Sequence, residues 1–223
     1  MKLHAESTLA EDSNDHICPV GCVNDNYTNS ELIDKVEAVI TKKPMFMLDL
    51  GCAGGQFVAD FIDRGHLGFG LEGSSHALKG AGGHNWNVYN NINLFLCDVT
   101  KPFHFEHDDS NMLFDFIHCS EMIEHLKPED LSEFFANVHN NLADKGVFCC
   151  QINLGPDVRV ENGKEIVLHH SIFSGNEWKT KLIRAGFIPC KDGDTNVNHL
   201  GYLFGNTKFR DHQSSSIYMC LTK

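Results

Sequence analysis

Residues 45–56 read MFMLDLGCAGGQ. An apolar run, Met45 to Leu50, carries Asp49 near its end and breaks at Gly51, Gly54 and Gly55. Phe57, Val58, Phe61 and Ile62 then recur at helical spacing. A buried strand therefore delivers a tight backbone turn that feeds straight into a helix. In an open α/β sheet, ligands bind at the carboxyl ends of the strands, where such a turn lies.

Working outward, the same alternation repeats. Thr28 to Glu31 has the spacing of a capping box, and Leu32, Val36 and Ile40 follow every fourth residue, so a helix precedes Pro44. Gly65 sits where a left-handed helix end is wanted. Further strands are predicted at 67–71, 94–97, 114–119 and 147–152. Ser74 or Ser75 caps a short helix, and a Gly- and Asn-rich connection runs on to Asn93. Pro128-Glu129-Asp130 opens an amphipathic helix through Leu131, Phe134, Phe135, Val138 and Leu142, ended by Gly146. A polar excursion, 153–173, leads to a helix at 176–185 and strands at 186–190 and 216–222. Strand and helix in alternation imply a parallel sheet covered on both faces. The loop-linked pair of strands at the end implies that the last one inserts antiparallel. The expected fold is thus a Rossmann-like three-layer α/β sandwich, its seven-stranded sheet mostly parallel. Residues 1–27 are read as a flexible or draped arm, with Asn24, Asn26 and Tyr27 over the ligand, and residues 28–223 as one domain.

Composition narrows the function. The formal charge is −12, and the 18 Lys and Arg are scattered singly. No basic run is available to neutralise a phosphate backbone, the interaction that dominates nucleic-acid affinity. Small-molecule or neutral glycan acceptors are expected rather than DNA or RNA. No stretch approaches the length of a membrane span, and no secretory leader is recognisable. A soluble, cytoplasmic protein is expected. The nine cysteines are odd in number and sit mostly in apolar runs, which suits reduced, buried thiols. Cys18 and Cys22, with His16 nearby, lack the spacing of a zinc pair.

Acidic residues stand at four successive strand ends: Asp49, Glu72, Asp98 and Glu121. Carboxylates there either face solvent or accept hydrogen bonds from a ligand. Glu72 follows Asp49 by about the interval at which a carboxylate reaches ribose hydroxyls. A dinucleotide fingerprint would need glycines at 51, 53 and 56, where the chain has Gly51, Ala53 and Gln56. A nicotinamide dehydrogenase is therefore disfavoured.

The segments LDLGCAGG, GLEGS, LFLCDVTKPF and FDFIHCSEMIEHL resemble, in order and spacing, the class I S-adenosylmethionine-dependent methyltransferases. Within that class the chain resembles the ubiquinone-biosynthesis-type and generic small-molecule O-methyltransferases. The resemblance implies that Asp49, Gly51 and the adjoining Cys52 lie along the methionine portion of the cofactor. It places Glu72 and Gly73 at the ribose, Asp98 at the adenine amine with Val99 packed on the ring, and Ser120 at the cofactor through its backbone. Ala53 departs from the more usual glycine. The antiparallel last strand is also a mark of that fold.

Glu121, Glu124 and His125 are spaced to share one face of a helical turn at the sheet edge. Two roles compete for them. His125, with Glu121, can serve as catalytic acid–base machinery on an acceptor hydroxyl, or the three can hold a divalent cation that acidifies it. The E-x-x-E-H stretch is similar to that of the ubiquinone-biosynthesis enzymes and the small-RNA 3′-terminal 2′-O-methyltransferases, in which it is associated with Mg²⁺. In the RNA group a downstream His joins the metal, a place His169 or His170 could fill. The expected metal set is thus Glu121, Glu124, His125 and His169 with Mg²⁺ or Mn²⁺. Trp86 and Trp178 are read as packing or substrate-wall residues. Asn153–Phe173 and Asp192–Gln213 are expected to shape the acceptor pocket. The alternatives are a metal-dependent RNA 2′-O-methyltransferase and a non-catalytic scaffold that keeps the cofactor site.

Overall fold

The computed structural model describes residues 1–190 and 216–223. Among them the elements run β1 (Lys2–Ala5), α1 (Val20–Asn24), α2 (Ser30–Val39), β2 (Phe46–Leu50), α3 (Gln56–Asp63), β3 (Leu67–Glu72), α4 (Gly83–Tyr89) and β4 (Leu94–Leu96). They continue β5 (Phe103–His107), β6 (Ser110–Met112), β7 (Phe114–Ser120), α5 (Leu131–Asn141), β8 (Leu142–Asn153), β9 (Val158–Glu161), β10 (Lys164–Val167), α6 (Gly175–Arg184), β11 (Ile188–Pro189) and β12 (Ser216–Thr222).

The main sheet has seven strands in the order β11-β12-β8-β7-β2-β3-β4. β8, β7, β2, β3 and β4 pair in parallel, while β12 runs antiparallel between β8 and β11. The expected architecture holds, including the reversed strand. β2 lies inside the sheet, between β7 and β3, and both faces of its sequence are apolar, as doubly covered strands require. Leu48 and Leu50 join Phe134, Phe135, Trp178 and Leu182 of α5 and α6 in one buried layer. Met45 and Met47 meet Leu32, Ile33, Val36, Phe57 and Phe61 of α2 and α3 in the other.

Several local readings are corrected. The cap of α2 is Asn29, whose side chain accepts from Leu32 N, and Thr28 instead donates to Asp60. α5 stops at Asn141, and Leu142 already belongs to β8, so Gly146 lies within a strand. The Gly- and Asn-rich connection contains α4, whose Trp86 is buried and donates through Nε1 to Ala53 O at 2.8 Å. Trp86 therefore holds the glycine turn from behind. Trp178 is core, packed edge-on to Phe173.

Two hairpins lie outside the sequence reading. β5 and β6 are joined by Asp108 and Asp109, both at positive φ, and this hairpin pairs with β1. β9 and β10 turn at Asn162-Gly163, also at positive φ, within the expected polar excursion. The N-terminal stretch is paired and folded rather than a loose arm. β1 lies antiparallel to β5, a short turn spans Asn14–His16, and α1 follows. Asp192–Gln213 lie outside the described residues.

Candidate active site

The carboxyl ends of β2, β3, β4 and β7 open into one cavity of about 440 Å³. Gly51 and Gly55 carry φ values of +74° and +75°, which only glycine adopts without cost, and between them Ala53 is held at +42°. A side chain at Gly54 would strike Asn26 Oδ1 at 2.4 Å, so the turn and residues 25–26 close together only because this position is bare. Asn26 Oδ1 also accepts from Gln56 N at 3.1 Å, satisfying a donor at the start of α3.

Gly51, Glu72, Gly73, Asp98, Val99 and Ser120 all line the cavity, bringing together most of the residues expected to hold the cofactor. Glu72 is buried and accepts from Ala53 N at 3.0 Å and Ser74 N at 2.9 Å. Each oxygen keeps acceptor capacity for a further donor. Burial pushes the Glu72 carboxyl up to about 7, against the pull of those two backbone donors. Asp98 Oδ1 accepts from both the N–H and the hydroxyl of Thr100. Asp49 and Cys52 stand behind the wall. The Asp49 carboxylate is taken by the buried His118, Nδ1 to Oδ1 at 2.7 Å, and the Cys52 side chain packs against Gly70. Asp49 thus fixes the floor beneath the turn.

The N-terminal residues form the facing wall. Ser7, Ala10, Ser13, Asp15, His16 and Cys22 line the cavity, and Asp98 N donates to Ser7 O while Ala10 N donates to Gly73 O. Carboxylates dominate the lining: Glu11, Asp12, Asp15, Asp25, Glu72 and Asp98 are among them, against Lys101 and Lys127. Such a lining suits a cationic occupant and opposes a pyrophosphate or phosphorylated one.

Beside the cofactor end lie the acid–base candidates. Glu121 does not share a helical face with Glu124 and His125, because its φ of +51° interrupts the turn before Ile123–His125. Its carboxylate accepts from Gln151 Nε2, Asn153 Nδ2 and Ser216 Oγ. Of the four expected metal ligands, Glu124, His125 and His169 do converge, with one ligand atom of each within 4.8 Å of the others. Glu124 is fully buried; Oε1 accepts from Asn153 N, and Oε2 has no hydrogen-bond partner. Burial, with Glu121 adding to it, pushes this carboxyl up to about 7.

The tautomers follow from the partners. His169 Nδ1 lies 2.6 Å from Gly155 O, and a carbonyl only accepts, so Nδ1 carries a hydrogen and the neutral tautomer has its lone pair on Nε2. His125 Nδ1 donates to Asp15 Oδ1 at 3.1 Å, so in the neutral ring Nε2 is the nitrogen without a hydrogen. Burial works against charge on both partners, yet their contact prevails, holding Asp15 below the usual carboxylate range and drawing His125 up. Ser13 caps the turn that carries Asp15, and Asn14 Nδ2 donates to Val167 O at 2.8 Å. The sequence reading missed Asp15 because it lies 110 residues from its partner and no local pattern marks it. His170 lines the cavity, and its backbone N–H goes to Glu124 O.

Residues 25–191 match the methyltransferase domain family. No curated protein matches the sequence. Among solved structures, an S-adenosylmethionine-dependent methyltransferase from Clostridium acetobutylicum is similar, with a TM-score of 0.61 at 15% identity over 89% of this chain and 92% of that one. One from Mesorhizobium loti gives 0.57 at 18% identity, over 86% and 96%. The 1,6-didemethyltoxoflavin-N1-methyltransferase of Burkholderia thailandensis, solved with 1,6-didemethyltoxoflavin and S-adenosylhomocysteine, gives 0.56 at 15% identity, over 89% and 80%. At these identities the likeness is one of fold.

Proposed function

The chain belongs to the methyltransferase domain family, and from that premise we propose that it methylates the hydroxyl of an uncharged small molecule or glycan, with S-adenosylmethionine as donor and His125 as base. The observation that carries this reading is the single cavity that joins Gly51, Glu72 and Asp98 to His125. S-adenosylmethionine supplies a methyl group on a cationic sulfonium, already a strong electrophile. The residues fit it: the glycine turn admits close backbone approach, Glu72 keeps acceptor capacity for ribose hydroxyls, and the carboxylate-rich lining favours its positive charge.

The chain's own work is then placement and proton removal. Asp15 fixes the His125 ring, and neutral Nε2 would take the hydroxyl proton as the methyl group passes from sulfur to the acceptor oxygen, the C–S bond breaking to leave a neutral thioether. Holding the acceptor in line can supply roughly 7–11 kcal/mol in favourable cases. The surplus of carboxylates argues against phosphorylated and RNA acceptors. A panel of neutral phenols and glycans assayed with labelled donor tests the reading. His125→Gln should keep S-adenosylhomocysteine binding and lose about 10²–10⁴ in turnover; unchanged turnover would make His125 structural.

The unpartnered Glu124 Oε2 favours a second reading, in which Glu124, His125 and His169 hold a divalent ion. Bound there, the ion would acidify the acceptor hydroxyl. Two imidazoles and one carboxylate suit Mn²⁺ better than Mg²⁺, which prefers oxygen ligands. Loss of activity in chelator and recovery with Mn²⁺ would select this reading over the simple base. Salt-dependent binding of RNA 3′ ends would redirect it to 2′-O-methylation of RNA.

A further inference from the structure

Away from the cavity, the pairing of β1 with β5 sets three metal-ligating side chains on one outward face. His4 and His104 are direct partners in the antiparallel register, and Glu106 lies two residues beyond His104. Their neighbours Leu3 and Phe105 point the other way, into the core. The two imidazole rings stack with centroids 4.7 Å apart and planes within 3°. Glu106 Oε2 stands 3.5 Å from His4 Nε2. One ligand atom from each of the three residues lies within 4.8 Å of the others.

His4 Nε2 is shut off from solvent and has no hydrogen-bond partner. With no hydrogen bond made there and the Glu106 carboxylate still 3.5 Å off, that nitrogen keeps capacity that an ion held between the two would use. We propose that His4, His104 and Glu106 form a site for a divalent transition-metal ion, Zn²⁺ in the first instance, which staples β1 to the β5–β6 hairpin. Two imidazole nitrogens and a carboxylate are a donor set that Zn²⁺ takes, with water completing the tetrahedron. Ligand atoms around tetrahedral Zn²⁺ stand about 3.3 Å apart, from metal–nitrogen distances near 2.0–2.1 Å. His104 is exposed and Glu106 half-buried, so both side chains have room to turn toward a shared ion.

The consequence reaches the cavity. β1 leads directly into Ser7, Ala10 and Asp15, so an ion that binds only the paired strands stabilises the wall those residues form. None of the three ligands lines the cavity, so the metal site stands independently of the methyl-transfer reading.

The test uses the full, untagged chain, stripped with chelator and desalted, then titrated with ZnCl₂ by calorimetry and by thermal melting. Wild type should bind one more Zn²⁺ than His104→Ala and melt higher when loaded. The affinity of that extra site should fall about 100-fold or more in His104→Ala and Glu106→Ala. Glu124→Gln should keep the same His104-dependent difference, since Glu124 belongs to the other cluster, with His125 and His169. His104 is exposed, so its variant should melt like wild type without zinc. An equal stoichiometry and melting shift in wild type and His104→Ala, or no shift in wild type, would overturn the proposal.

Discussion

Glu72 and Asp15 are the two side chains on which the chemistry turns. The buried Glu72 carboxyl is pushed up to about 7 before any ligand arrives. Hydroxyl donors stabilise its charged form, so binding lowers its affinity for a proton and releases one. S-adenosylhomocysteine should therefore bind more tightly as pH rises from 6 toward 7 and above, by about tenfold in all, and level off past the free-state value. Glu72→Gln should bind weakly with a flat profile over the same range, as calorimetry can measure. The same raised value works against the apo fold: the folded state holds a proton the unfolded chain has released, so Glu72's contribution declines between the ordinary Glu range and about 7. Asp15→Asn removes the charge that orients His125. Turnover should fall by about 10², with donor binding little changed, and full activity in that variant would break the link between the dyad and proton transfer.

Among the elements, the glycine turn between β2 and α3 carries the tightest geometry. Gly54→Ala should collapse donor binding, because its Cβ would overlap Asn26 and the backbone of Gly82. Ala53→Gly relieves a positive φ but adds chain entropy, so its stability should lie within about 1 kcal/mol of wild type. A melting comparison of the two variants reads this directly. On α5, Phe134 is fully buried in the layer over the sheet, and Phe134→Ala should cost about 3–5 kcal/mol in denaturant titration. The central strands were legible because they are continuous apolar runs bounded by Gly, Pro and acidic residues. The β5–β6 hairpin was not, since Phe103 and Phe105 alternate for only a few residues and the turn is Asp-Asp rather than the usual Asn-Gly or Asp-Gly. Asn162-Gly163 did offer that signal for β9 and β10, inside a segment whose polarity argued for a loop. Glu121 departs from the helical spacing because its φ is positive, which no pattern of residue types reveals.

For the whole molecule, the sheet brings residues from β2, β3, β4 and β7 to one edge, and the first 25 residues close over it from the far side. The cofactor half of the site was readable because its acids stand at successive strand ends, a regularity of topology. The wall opposite was not, because Asp15 and Ser7 meet the cavity through long-range contacts that leave no periodic trace. A chain lacking residues 1–24 should consequently lose both donor affinity and turnover, even where its main sheet survives. Everything proposed for the cavity rests on its holding an adenosyl sulfonium donor. Thermal melting with S-adenosylhomocysteine and with NAD tests that most directly. S-adenosylhomocysteine should raise the melting temperature of wild type and leave Glu72→Ala unmoved, while NAD does nothing; stabilisation by NAD, or none by S-adenosylhomocysteine, would contradict it.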